Sequence, residues 1–318
     1  MLIRHDWTVS EARALHDLPL FDLIDRSRAV LLECHPINEL QLCTLLSIKT
    51  GGCPEDCTYC AQSSKHRVIP PEPMLSVETV LERARVAKAG GSTRFCVGTA
   101  WTGVRDGAAF ERVLEMIRGV KALGLDPCAT LGLVDEARAR RLKEAGLHSY
   151  NHNLDTSREF FPKVTSTRRF DDRIATIRNL REAGIRVCSG GIIGMGESID
   201  DRCSLLCELA AFDPHPDGVP INALVAIAGT PLESQPPVDP LDLLRVIAVA
   251  RILLPHSRVQ LSAGRTELTR EAQLLCLYAG ANGIFYGEKL LTTPNVTHSA
   301  DDDLLRVAGL RGQAPSAR

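Results

Sequence analysis

What this sequence lacks narrows its function before any motif is read. It has no excess of charge of either sign: 37 basic residues stand against 39 acidic ones, a formal net charge of −2. Nothing therefore suggests a nucleic acid or another polyanion as partner. It also lacks long apolar runs. The opening MLIRHDWTVSEARALHDL has no apolar core of the secretory type, and the most hydrophobic later stretch, 243–254, is interrupted by Arg245 and Arg251. Neither an export signal nor a membrane span is expected. Low-complexity tracts and close repeats are missing as well. The remainder is of ordinary globular composition, 44% hydrophobic and 24% charged, and is expected in the cytoplasm. In that reducing compartment its 11 cysteines point to metal or catalytic use rather than to disulfides.

Short β-rich runs alternate with segments of helical period. Strands are expected at 44–49, 93–97, 127–131, 149–153, 186–193, 220–227, 258–262 and 283–286. Amphipathic helices are expected at 76–88, 109–123, 135–145, 170–183, 198–211, 240–253 and 269–279, several of them stopped by glycine. Eight strands with helical crossovers fit an α/β fold, a (β/α)8 TIM-type barrel over residues 41–300, with an N-terminal helical extension over 1–40 and a C-terminal segment and frayed tail over 301–318. A doubly wound open sheet is the alternative.

The sharpest chemical signal follows the first strand. In SIKTGGCPEDCTYCAQS, Cys53, Cys57 and Cys60 form a C-x3-C-x2-C loop. Three clustered thiolates can wrap one corner of a 4Fe–4S cubane and leave one iron open to an outside ligand. The loop sits at a strand's C-terminal end, where such barrels carry their chemistry. Zinc is the competing reading, but it wants a fourth ligand at motif spacing, and His66 alone is a weak candidate. Three more cysteines fall within expected strands: Cys96, Cys128 and Cys188. Residues two apart share a strand face, so Cys96 lies with Arg94 and Gly98, and Cys188 with Gly190 and Ile192. If those faces point inward, three thiols converge on the barrel axis. The fourth strand carries a polar stripe, Asn151, Asn153 and Asp155, which an apolar interior would reject unless a polar ligand satisfied it. The remaining cysteines look like packing residues: Cys203 and Cys207 on one helix, and Cys34, Cys43 and Cys276 among apolar neighbours. His152 is expected to face the helix layer as a satisfied structural histidine.

The loop, with Tyr59 just before its last cysteine, resembles the radical S-adenosylmethionine superfamily. Further stretches, RFCVGTAW, YNHNLDTS, VCSGGIIGMGE and GEKLLTTPN, resemble the biotin synthase family within it, from about residue 44 to 294. The resemblance implies a 4Fe–4S cluster on Cys53, Cys57 and Cys60, whose open iron binds S-adenosylmethionine. Tyr59, Asn153, Asp155, Gly190, Ile192 and Glu197 would contact that cofactor, and Asn151, Asn153 and Asn222 the dethiobiotin substrate. It implies a 2Fe–2S cluster on Cys96, Cys128 and Cys188 as sulfur donor, an electron donor of the flavodoxin or ferredoxin type, and a homodimer. At one position the chain departs from the pattern: Gln260 stands where the family carries an arginine ligand to the second cluster. The weighed alternatives are a related radical enzyme, of hydrogenase maturase or methylornithine synthase type, and a non-catalytic iron–sulfur carrier or sensor. A carrier would not need the polar stripe or an open iron.

Overall fold

The alternation of strand and helix closes on itself. The structure is a computed structural model that describes residues 3–36 and 38–314. Its barrel strands are β1 (Glu39–Lys49), β2 (Arg94–Thr99), β3 (Asp126–Thr130), β4 (Ser149–Asn151), β5 (Arg186–Cys188), β6 (Gly191–Ile193), β7 (Gly218–Ala223), β8 (Arg258–Leu261) and β9 (Gly283–Phe285). They run parallel in the order β1, β2, β3, β4, β5, β7, β8, β9, and β9 pairs back with β1. This closure excludes the open sheet.

The stave expected to be continuous over 186–193 is split into β5 and β6, both of which pair with β7. The cause is a close approach of backbones. A Cβ on Gly190 would lie 1.9 Å from the carbonyl oxygen of Pro220, so only glycine fits and the ladder breaks there. β1 starts five residues earlier than expected, at Glu39 rather than 44, because the chain end returns to it: β10 (Arg311–Gly312) pairs with Glu39 and Leu40. Residues 311–314, expected as part of a frayed tail, are ordered by this pairing, whereas 315–318 lie outside the described residues.

Helices α1 (Val9–His16) and α2 (Leu20–Cys34) form the expected N-terminal extension. They are followed by α3 (Val77–Ala89), α4 (Ala108–Ala122), α5 (Glu136–Glu144), α6 (Phe161–Val164), α7 (Phe170–Glu182), α8 (Ile199–Ala210), α9 (Pro240–Leu253), α10 (Arg270–Tyr278) and α11 (His298–Ala308). The starts follow from local chemistry. Ser76, Asp135, Ser198, Asp239 and Thr269 each accept a backbone N–H of the first turn that would otherwise have no partner. α1 packs on α8 and α2 on α9, so the extension lies against the outside of the helix ring. Among the described residues no helix is long and apolar enough to cross a membrane.

The main core lies between strands and helices. Phe95, Val97, Ala129, Val187, Val219, Val259 and Ile284 occupy alternate strand positions and meet Phe110, Leu142, Ile177, Leu206 and Ile247 from the helices. Their strand neighbours face the barrel axis instead, among them Arg94, Cys96, Cys128, Cys188 and Gln260, together with Pro220, Phe285 and several glycines.

Candidate active site

Past β1, Gly51 and Gly52 take positive φ values of 70° and 74°, and the chain turns sharply into the cysteine loop. Backbone bonds close the loop: Cys53 N–H donates to Gln62 O (3.0 Å), Ser64 N–H to Cys53 O (2.7 Å) and Cys60 N–H to Cys57 O (2.9 Å). Asp56 clamps it to the segment before α7, accepting from the hydroxyls of Thr165 (2.6 Å) and Thr167 (2.9 Å) and from Ser166 N–H (3.0 Å). Burial pushes the Asp56 carboxyl up, but these bonds outweigh it and hold the group well below the usual carboxylate range. Burial also raises the loop thiols: Cys53 and Cys57 are pushed up, and Cys60 reaches about 12. Arg168 and Arg173 pull the other way on Cys57, and Arg168 and Lys49 on Cys53, but burial outweighs them, and iron would displace the thiol protons on binding.

The loop faces a cavity of about 320 Å³ at the C-terminal mouth of the barrel. Cys53, Cys57, Tyr59, Cys60, Asn151, Asn153, Asp155, Ile192 and Asn222 all line it. Tyr59 donates to Asp155 Oδ2 (2.9 Å), and Asn153 Oδ1 accepts the N–H of Gly190 (3.2 Å). Asn222 bridges two staves, donating to Gly191 O (2.9 Å) and accepting from Ala263 N–H (3.2 Å). Asn151 Oδ1 is buried with no hydrogen-bond partner among the described residues, which leaves it for a ligand. His152 corrects an expectation. It too borders the cavity, its Nε2 is buried without a partner among the described residues, and burial, with Arg173 and Arg168 nearby, lowers its pKa well below the ordinary value. Gly190 and Glu197 are not part of the lining. Glu197 instead accepts from the N–H groups of Gly194 (2.9 Å) and Met195 (2.8 Å) and from Arg202 Nε (2.7 Å), fixing the turn that follows β6.

Below the cavity, beneath Leu45 and Phe285, the strand cysteines converge. Cys96 and Cys128 are register partners with Sγ atoms 3.0 Å apart, and Cys188 Sγ lies 3.4 Å from Arg94 Nη1. Cys43, expected to be plain core, belongs here instead. It packs with Cys96 and Cys128 in a cluster separate from the main core, capped by Leu45 and Phe285, which line the cavity above. Cys203 and Cys276 do lie in the main core, and Cys207 packs against it. The hydrogen bond from Cys96 lowers Cys128 to about 7, while burial raises Cys188 to about 11. Gln260 is buried and faces the axis beside Gly283. Among the described residues no three His, Cys, Asp or Glu side chains gather around one metal ion.

Sequence reasoning missed the supports. Arg173 of α7 reaches Asp155 Oδ2 with Nη2 (2.6 Å) and Asn153 O with Nη1 (2.6 Å). Arg168 holds Glu55 (3.2 Å) and the carbonyl of Thr102 (2.8 Å). Arg173 left a trace: it falls on the apolar face of α7, beside Phe170, Ile174 and Ile177, and a charge there calls for a partner. The stretch 290–293, within GEKLLTTPN, folds over the mouth, and Leu291 packs so close to β2 that a Cβ on Gly98 would lie 2.5 Å from its Cδ2.

Comparison with known proteins agrees with this geometry. The model of the Radical SAM superfamily matches residues 47–207, and that of the Biotin and Thiamin Synthesis associated domain matches 220–311. The chain is 64% identical over 315 residues to a biotin synthase of Sorangium cellulosum (strain So ce56), covering 99% of this chain and 90% of that protein. It is 55% identical over 314 residues to a biotin synthase of Myxococcus xanthus (strain DK1622), covering 98% and 91%. Among solved structures, a methylornithine synthase superposes with TM-score 0.80 at 22% identity, covering 98% of this chain and 94% of that one. An FeFe-hydrogenase maturase from Carboxydothermus hydrogenoformans gives 0.84 at 16%, covering 98% and 77%. These last two likenesses concern the fold alone.

Proposed function

From the premise that this chain belongs to the biotin synthase family of radical S-adenosylmethionine enzymes, we infer that its barrel is where sulfur enters dethiobiotin to give biotin. The observation that carries the reading is a single cavity bordered by the three loop thiols and the polar stripe, with further thiols directly beneath its apolar floor. When bound, the 4Fe–4S cluster and S-adenosylmethionine supply a 5′-deoxyadenosyl radical that takes hydrogen from dethiobiotin, and the 2Fe–2S cluster supplies the sulfur.

The chain's own residues bind, orient and exclude water. Cys53, Cys57 and Cys60 hold the first cluster, and Cys96, Cys128 and Cys188 the second. Asp155, pinned by Tyr59 and Arg173, presents a fixed carboxylate to the hydroxyls of S-adenosylmethionine. Tyr59, Ile192 and Leu224 border the cavity, backed by buried Phe160 and Met195, and offer an apolar surface suited to the adenine, while Gly190 and Glu197 set the backbone beside it. Asn153, its oxygen already engaged, turns its amino group to the cavity, and Asn151 offers an unpartnered oxygen. With Asn222 they suit a ureido ring, which has both N–H donors and a carbonyl acceptor. Leu45, Phe285, Leu290 and Leu291 keep the space dry, which protects a radical from solvent. The reading carries with it an external low-potential donor of the flavodoxin or ferredoxin type, a cytoplasmic location and a homodimer.

The test is anaerobic reconstitution with iron and sulfide, followed by reductant, S-adenosylmethionine and dethiobiotin. Biotin measured by mass spectrometry is expected. Cleavage of S-adenosylmethionine without any biotin would overturn the substrate assignment.

A further inference from the structure

A 2Fe–2S cluster has two tetrahedral irons bridged by two sulfides, so it needs four terminal ligands from the protein. Cys96, Cys128 and Cys188 supply three. The family position for the fourth, Gln260, offers only a neutral carboxamide, a far weaker iron ligand than a thiolate.

The barrel register points elsewhere. Cys43 of β1 pairs with Arg94 of β2, and Leu45 with Cys96, so Cys43 sits on the inward face one step below Cys96. It is buried in direct company with Cys96 and Cys128. Across the barrel, Cys188 lies in register with Gly218 and is reached by Arg94 from the Cys43 row. A Cβ on Gly218 would lie 2.7 Å from Cys188 Sγ, so glycine there leaves room for that thiol. The charges fit as well. Two ferric ions, two sulfides and four thiolates make a dianion, which is costly to bury without a cation. Arg94 is fully enclosed among Cys188, Cys128, Cys43 and Asp126, and its Nε has no hydrogen-bond partner among the described residues. Asp126, the register partner of Arg94, balances part of its charge, and the guanidinium lies where it would also offset the charge of a cluster held by those thiols.

We propose that Cys43 is the fourth protein ligand of the second cluster, completing an all-thiolate set with Cys96, Cys128 and Cys188, and that Gln260 is not a ligand. The proposal rests on the reading that the chain holds a second cluster at all.

The experiment uses the full chain carrying Cys53→Ala, Cys57→Ala and Cys60→Ala, which removes the first cluster so that the second is seen alone. After anaerobic reconstitution with ferrous iron and sulfide, iron and sulfide per chain are measured, with Mössbauer and resonance Raman spectra. This parent is expected to hold about two irons and two sulfides in an all-thiolate environment. Adding Cys43→Ala is expected to lose more than half of the iron. Adding Cys43→Ser, which keeps size and burial, is expected to retain iron with spectra shifted by an oxygen ligand, whereas adding Gln260→Ala leaves content and spectra as in the parent. Parent-like iron content and spectra in both Cys43 variants would overturn the proposal while leaving the second cluster in place. A parent that takes up no iron would instead overturn the reading on which it rests.

Discussion

Arg173 and Asp155 are each almost fully enclosed, with side chains 6% and 3% exposed, and their 2.6 Å pair is the hinge on which the cofactor pocket hangs. Removing one member of such a pair strands the other as an uncompensated buried charge, which costs about 3–5 kcal/mol. Arg173→Met is therefore expected to lower the melting temperature and to weaken S-adenosylmethionine binding about tenfold or more, since Asp155 either takes up a proton or swings away. Thermal unfolding and calorimetric titration of the reconstituted protein check both effects, and a variant matching wild type in each would remove Arg173 from the site. The loop cysteines make a sharper case. Cys53→Ala, Cys57→Ala or Cys60→Ala leaves two thiolates for a cubane that must also keep one iron open, so each is expected to abolish 5′-deoxyadenosine formation, read by chromatography. These three were legible because their spacing is local. Arg173 was not, because what it serves lies on another stave of the barrel.

Elements were read well wherever local chemistry sets them. The capped helices start within a residue or two of expectation, because the capping side chain and the apolar period lie in the same short window. Distant backbone decided the rest. The break between β5 and β6 is imposed by Pro220, and the early start of β1 by Arg311 and Gly312. Cys43, read as a packing residue from its apolar neighbours, is indeed buried, but the sequence did not show that pairing with β2 and β9 turns it inward beside Cys96 and Cys128. Packing between elements yields two predictions. Gly98→Val would drive a side chain into Leu291 and lift the segment over the mouth. The fold should hold, but more 5′-deoxyadenosine should form per biotin as solvent reaches the radical, and an unchanged ratio would show that this segment does not seal the cavity. At the seam between α2 and α9, burial with Arg251 alongside lowers His35 to about 4. Its unfolded value is about 6.5. As pH falls the unfolded chain therefore takes the proton first, so this contribution to stability is complete above about 6.5 and is lost towards 4. Denaturant unfolding should show wild type losing more stability between pH 7 and pH 5 than His35→Asn, and parallel losses would rule out His35 as the source.

At the scale of the whole molecule, the barrel stacks two thiol sets along one axis with the cavity between them. Leu45 and Phe285 belong to both levels, lining the cavity above and capping Cys43, Cys96 and Cys128 below. The upper set is held by a loop closed on its own backbone and clamped by Asp56, whereas the lower set is held by the strand register. Among the described residues no hydrogen bond joins the two sets of cysteines, and each is held by its own elements, so either should assemble without the other. Cys128→Ala or Cys188→Ala is accordingly expected to leave cleavage of S-adenosylmethionine within about twofold of wild type, since the groups that bind it are untouched. Biotin formation should fall to the limit of detection, because the sulfur must come from the lower set. Both substitutions are small and lie on the barrel axis rather than in the main core, so loss of fold is not the expected cause, and an unchanged circular dichroism spectrum would verify this. Biotin yields undiminished in either variant would mean that the strand thiols are not the sulfur source. Loss of cleavage and of biotin together, with the fold intact, would mean that the two levels are coupled through the floor at Leu45 and Phe285 rather than independent.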